Sequence, residues 1–263
     1  MAPRPSNVLI TGASSGLGDA LARACAAPGV TLHLSARNAA RLEATAQACR
    51  ELGATVLPQV INVRDANSMA DWITRSGRLD LVIANAGIGT GTGEGTEDAA
   101  AARHVFETNI NGVLNTALPA MDVMARQAPA EDGWRGHIAV IASIAAFVAG
   151  PSAPAYCASK SAVQRWAEAR DHSERKRGIR MHVICPGFIR TPMTADNPFP
   201  MPWLMTPEDA ARRTLDGIAA GKLRIAYPRR LYAIARMVGA LPPLWRAALL
   251  GRTPPKPAAK PGG

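Results

Sequence analysis

The sequence predicts an α/β chain built on one doubly wound parallel sheet, and three observations predict it. Short apolar, β-rich runs alternate with helical patterns through about 180 residues. Several of these runs, Leu81-Val82-Ile83-Ala84 among them, are apolar at consecutive positions, as strands buried on both faces must be. A glycine-rich turn, Gly12 to Gly18, falls between the first run and the first helical pattern.

Taken in order, strands are predicted at 7–11, 30–35, 54–62, 79–85, 137–143 and 180–185. Helices fall between them at about 16–27, 39–52, 66–76, 100–127 and 155–176. Asp65 reads as the N-cap of the third helix. After residue 191 the character changes, because 12 of the 21 prolines lie in 192–263 and interrupt any long helix. Thr206-Pro207-Glu208-Asp209 is a helix start, with Thr as N-cap, Pro at the first helical position and acids in the first turn. A helix to Ala220, a strand-like piece at 223–227 and helices at 229–241 and 243–250 follow. The reading divides the single domain into a core at 1–192, a lid region at 193–221, a basic C-terminal extension at 222–252 and a disordered tail at 253–263.

Composition excludes several classes. With 263 residues and 48% hydrophobic residues the chain has the material for a core, so neither disorder nor a fibre fits. The cysteines at 25, 49, 157 and 185 show no CxxC pair and no metal-ligand spacing, which points to a reduced, cytoplasmic protein. The five histidines form no H-x-x-x-H pair, so no metal is expected. Met1–Ser6 resembles no targeting segment, and no apolar stretch reaches the length of a membrane span. The net charge of +10 is a nucleic-acid signal only until it is located. Residues 1–216 hold 21 cations against 20 acids, and every residue after Asp216 that carries charge is one of nine Lys or Arg. Nucleic acid is not expected, since no recognisable module or aromatic platform accompanies that charge.

Gly12 permits a tight turn, and Ser14, Ser15, Gly16, Leu17 and Gly18 bring backbone amides and a helix N-terminus close to where a pyrophosphate would sit. The second strand ends Leu34-Ser35-Ala36-Arg37. An acid there would hold ribose hydroxyls, whereas the planar fork of Arg37 suits a 2′-phosphate, so NADP(H) is expected over NAD(H). The alternative for Arg37 is a solvated residue ahead of the next helix.

Tyr156 and Lys160 stand four residues apart at the start of a helix and share one face. An ammonium beside a phenol is expected to lower the tyrosine pKa toward the range of an acid/base catalyst. Ser143, at the end of the fifth strand, is placed to donate a hydrogen bond to the same substrate oxygen. With Thr11–Gly18, Asn85-Ala86-Gly87, Asn109, Ser143, Tyr156/Lys160, Pro186-Gly187 and Thr191 in this order over residues 7–192, the sequence closely resembles the short-chain dehydrogenase/reductase family, which has a Rossmann fold.

The resemblance implies the roles. Tyr156 would be the acid in carbonyl reduction and the base in alcohol oxidation, and Ser143 would steady the oxyanion. Lys160 would hold the nicotinamide ribose, and Asn109 would anchor a water that relays protons to it. Asn85, Ala86 and Gly87 would line the cofactor site, while Pro186, Gly187, Ile189 and Thr191 would meet the carboxamide. The family often has Asp-Val where this chain has Asn62-Val63. The Asn62 carbonyl can still accept from adenine, with weaker binding expected. Asn111 is read as structural.

Residues 193–205, rich in Met, Pro and aromatics, read as a greasy lid or as core packing. With the lid, the substrate would be a hydrophobic ketone or alcohol. The expected activity is NADPH-dependent carbonyl reduction. Alternatives are NADP-dependent oxidation of steroid- or retinoid-like alcohols and a catalytically silent cofactor-binding scaffold. A homo-oligomer, dimer or tetramer, is expected. In the extension, Leu231, Ile234, Ala235, Val238 and Leu241 are placed on one helical face with Arg229 and Arg236 opposite. The basic helices of 229–252 would meet an anionic membrane surface, a subunit, or only the body.

Overall fold

The computed structural model describes residues 5–93, 95–195 and 197–251. The first half runs β1 (Asn7–Thr11), α1 (Gly16–Cys25), β2 (Thr31–Ala36), α2 (Ala39–Glu51), β3 (Thr55–Val60), α3 (Ala66–Arg75) and β4 (Leu81–Ala84). It continues through α4 (Ala99–Phe106), a π-helical turn (Glu107–Asn111), α5 (Gly112–Arg126), β5 (Gly136–Ile141), a 3-10 turn (Ile144–Phe147), α6 (Pro154–Lys176) and β6 (Ile179–Pro186). The last elements are α7 (Pro207–Ala219), β7 (Arg224–Tyr227), α8 (Arg229–Ala240) and α9 (Pro243–Leu250). The strands form one parallel sheet in the order β3-β2-β1-β4-β5-β6-β7.

Consecutive apolar residues make sense in this sheet because both faces are covered. Val8 and Ile10 point to one layer with Leu21, Leu42 and Ala210 of α1, α2 and α7. Leu9, between them, points to the other with Met69, Met121 and Val163 of α3, α5 and α6. The chain winds outward from β1 through β2 to β3, then returns to place β4 on the other side of β1. The β1/β4 boundary is therefore the topological switch point, and a crevice opens beyond the carboxyl ends of those strands.

Helix starts follow their capping residues. Asn38, Asp65, Asp98 and Thr206 each accept from the backbone N–H three residues on, opening α2, α3, α4 and α7. At α1 the N-cap Ser15 makes no such bond.

Four expectations need correction. The single helix at 100–127 is two helices joined by the π-helical turn that carries Asn109. The helix assigned to the lid, α7, belongs to the body, with Ala210, Ala211 and Ile218 buried in the core. The strand assigned to the extension is β7, the seventh strand of the sheet, where Ile225 and Tyr227 are buried and the Tyr227 hydroxyl meets that of Thr214 at 2.7 Å. Finally, α8 buries Ala235 and half-buries Leu231 and Val238, but Ile234 is turned out beside Met237. The proposed tail at 253–263 lies outside the described residues.

The body holds α8 through a close contact and a polar chain. At Gly239 a Cβ would overlap the Phe147 carbonyl oxygen, so only glycine allows this approach. Arg224 donates to Glu168 of α6 and to the Tyr232 hydroxyl at 2.9 Å, and the Tyr232 ring meets Phe147 edge-on. No residue of α9 is buried. Among the described residues no helix is long and apolar enough to cross a membrane.

Candidate active site

A cavity of about 700 Å³ fills the crevice at the switch point. Its floor is the β1–α1 turn. Gly12 has a positive φ of 67°, and a Cβ there would stand 2.8 Å from the Ala86 Cα. A Cβ on Gly18 would overlap the Gly12 carbonyl oxygen. Asn85 ties the turn to β4, donating to the carbonyls of Thr11 at 2.9 Å and Gly12 at 3.1 Å. Uncapped by a side chain, the first-turn amides of α1 are the donors a pyrophosphate needs, and Ser14, Ser15, Gly16 and Leu17 line the cavity around them. The residues present thus fit a dinucleotide.

At one end the cavity is bounded by Arg37, Asn38 and Arg41. Arg41 was not singled out in the sequence. Its signal was the helical spacing from Arg37, since Asn38 caps α2 by accepting from the Arg41 N–H at 2.9 Å and thereby sets both guanidinium groups at one helix start. Asn62 and Val63 line the same end, with Ile61 and Thr108. The Asn62 side-chain carbonyl assigned to adenine already accepts from the Arg64 backbone N–H at 3.1 Å and from Arg64 Nε at 3.4 Å, so a base would have to displace the Arg64 side chain to use it. Arg64 in turn reaches Glu107 at 3.0 Å and the His104 ring at 3.1 Å.

At the other end the cavity meets Ser143, Tyr156, Lys160, Ala86, Gly87, Pro186, Gly187, Ile189 and Thr191. Ser143 is held by the Ala145 N–H, which donates to its oxygen at 3.0 Å, and hydrogen-bonds Tyr156. Glu97, also not foreseen, accepts from the Ala155 N–H at 3.1 Å and fastens the start of α6, one residue before Tyr156. Lys160 is buried and donates to the Ile141 carbonyl at 2.8 Å. Its ammonium nitrogen lies 5.9 Å from the centre of the Tyr156 ring.

The electrostatics differ from the sequence expectation. Burial raises the Tyr156 pKa above its ordinary value, with the Ser143 hydrogen bond opposing, so this phenol keeps its proton at neutral pH. The cation that was expected to lower it is itself weakened, because burial brings Lys160 down to about 8.

Asn109 does not line the cavity. Both N–H groups of its amide are used, toward the Ile88 carbonyl at 2.9 Å and the Ser159 hydroxyl at 3.0 Å, and its oxygen accepts from the Ile88 N–H at 2.8 Å. It lies behind Gly87 together with Lys160, since a Cβ on Gly87 would be 3.2 Å from the Asn109 oxygen and 3.3 Å from the Lys160 nitrogen. For a water it retains one lone pair of that oxygen. Asn111 lies at the end of the same turn and, like Asn109's neighbours in the turn, is absent from the cavity wall except for Thr108.

The expected lid is a loop closed at its base, where Met205 and Phe188 and Arg190 exchange backbone hydrogen bonds at 3.0 and 2.9 Å. Pro192, Met193 and Thr194 reach the cavity wall, Phe199 packs near Phe188, and Trp203 is 44% exposed. No disulfide joins any two of the four cysteines, and among the described residues no cluster of His, Cys, Asp and Glu is placed to hold a metal.

The family model for short chain dehydrogenases matches residues 6–199. An uncharacterized oxidoreductase of Myxococcus xanthus is 34% identical over 245 residues, covering 91% of this chain and 94% of that protein. A 3-oxoacyl-[acyl-carrier-protein] reductase of Rickettsia prowazekii is 30% identical over 188 residues, covering 71% and 73%. The crystal structure of a short chain dehydrogenase/reductase from Burkholderia phymatum, in complex with NAD, superposes with a TM-score of 0.79 at 23% identity and covers 97% of this chain and 98% of that one, a likeness of fold. With a family match over most of its length and the sheet, glycine turn and cleft just described, this chain is an oxidoreductase that belongs to the short-chain dehydrogenase family.

Proposed function

We propose that this protein is an NADPH-dependent reductase of a carbonyl on a hydrophobic substrate. The observation that carries the reading is one cleft in which the glycine turn, the Arg37/Arg41 pair and the Ser143, Tyr156 and Lys160 side chains meet. When bound, the nicotinamide would supply the hydride. Tyr156, kept protonated by burial, is in the form that gives a proton to a carbonyl oxygen. Ser143 has its oxygen fixed by Ala145 and its side chain hydrogen-bonded to Tyr156, so the two hydroxyls converge where a carbonyl oxygen would take both as partners. Lys160, near 8, exchanges protons readily around neutral pH and can restore the one Tyr156 gives away, with Asn109 anchoring the water that relays protons to Lys160.

The NADP(H) preference rests on Ala36 in place of an acid and on two guanidinium groups that offer a bidentate grip on a 2′-phosphate. Pro192 and Met193 on the wall favour an apolar substrate. The Rickettsia relative, named as a reductase of a 3-oxoacyl group, supports reduction over oxidation. A homo-oligomer remains part of the same reading.

Consumption of NADPH with a panel of ketones graded by chain length tests the proposal. Turnover is expected to rise with chain length and to fall on the order of 10³-fold in Tyr156→Phe. No turnover with any ketone or alcohol, despite NADPH binding, would leave the scaffold alternative standing. Arg37→Asp is expected to reverse the preference between the two cofactors, and unchanged relative affinities would remove Arg37 from its assigned role.

A further inference from the structure

We propose that the outer face of α8 and α9 is a docking surface for an anionic lipid bilayer, on which the protein lies without spanning. On α9, Leu244 is 84% exposed, Trp245 70% and Leu249 52%, and on α8, the preceding helix, Ile234 and Met237 are also turned outward. Such an apolar surface is uncommon on a protein that leaves it to water. Its surroundings identify the occupant. Arg229, Arg230, Arg236 and Arg246 belong to a stretch with no acidic residue after Asp216, and none of the four forms an ion pair among the described residues. Apolar side chains with a tryptophan among them, on two helices whose arginines meet no carboxylate among the described residues, Arg236 reaching only the Tyr232 hydroxyl and Arg246 the Gly239 carbonyl, match the acyl boundary and the phosphate layer of an anionic leaflet.

A second copy of the chain fits less well. A two-fold contact would set the same acid-free face against itself, arginine opposite arginine. The eight residues of α9 are too short to cross a bilayer and suit a helix lying in its plane. The surface also lies beside the catalytic segment. Arg246 closes a cavity of about 420 Å³ whose remaining wall is almost wholly apolar, formed by Phe147, Val148, Pro151, Cys157 and their neighbours just beyond Ser143. A hydrophobic substrate dissolved in the leaflet would thus be close to the site.

The test is co-sedimentation of the full chain with vesicles of phosphatidylcholine alone or mixed with phosphatidylglycerol. Binding is expected to the mixed vesicles, at least about tenfold weaker without the anionic lipid, and about tenfold weaker in the double variant Leu244→Glu, Trp245→Glu. Neither residue touches the catalytic cleft, so the variant should turn over a water-soluble ketone at the wild-type rate, which keeps this outcome separate from the reductase reading. Failure to sediment with either vesicle, or equal sedimentation of wild type and variant, would overturn the proposal. So would a concentration-dependent dimer that the double variant abolishes, which would give the face to a second copy.

Discussion

The helices α1 and α9 are both short, of 10 and 8 residues, and both carry apolar residues, yet they end in opposite situations. In α1, Leu17, Gly18, Ala20, Leu21 and Ala22 are buried, while α9 buries nothing. The difference lies less in hydrophobicity than in what lets backbone approach backbone. Glycine at 12 and 18 draws α1 onto the strand ends, and alanines beside it fit under α7. Gly239 does the same for α8; α9, which begins at Pro243, has small residues at Ala247 and Ala248, but both face away from the body and are exposed. Hydrophobic residues make a helix sticky, and small residues turned toward the body decide whether it sticks there.

Changes at the two ends should therefore differ steeply in effect. The largest is expected for Gly18→Val, whose side chain must displace the Gly12 carbonyl. We expect a stability loss of about 3 kcal/mol in urea melts and no measurable NADPH binding by fluorescence titration. Wild-type stability in that titration would break the account of the turn.

Next is Lys160→Met, which should abolish turnover while stabilising the fold. The folded-state pKa of Lys160, about 8, lies below the 10.5 of the free side chain, so the folded protein holds that proton more weakly. The resulting penalty is full below pH 8 and relieved as pH rises toward 10.5. After allowing about 1 kcal/mol for the lost hydrogen bond to Ile141, the variant should gain about 2 kcal/mol at pH 7, and the gain should vanish by about pH 10. A gain that grows with pH would show that the sign is wrong.

Gly239→Val pushes α8 off the Phe147 carbonyl and should cost about 1 to 2 kcal/mol in thermal melts, with cofactor affinity retained. The smallest effect is expected at α9, where Leu244→Ser should stay within about 0.5 kcal/mol of wild type. A large loss there would mean that α9 is packed in solution and would erase the contrast with α1.

Much of the site was legible in the sequence because its signals are local. The glycine spacing, the Tyr156/Lys160 separation and the position of Ser143 at a strand end each follow from one segment, and the cleft wall contains all three. Arg41 and Glu97 were missed for different reasons. Arg41 repeats Arg37 one turn later and was available as a spacing, whereas Glu97 reaches the start of α6 across 58 residues, which no periodicity reports. The break in the helix at Asn109 was equally invisible, since it accompanies bonds to Ile88, 21 residues earlier.

By itself, then, the sequence determined the alternation of strands and helices, the parallel sheet and the phosphate-type turn, because periodicity and spacing act over a few residues, while the roles expected of Ser143, Tyr156 and Lys160 came with the family resemblance. It also located the excess charge, separating a nearly neutral body from an acid-free end. Only the tertiary structure decided that β7 and α7 complete the body, that Ile234 faces outward, and that Tyr156 keeps its proton while Lys160 loosens its own. Each of these depends on what distant segments bring against a residue: desolvation and close packing are properties of the assembled neighbourhood, and no stretch of chain carries them alone.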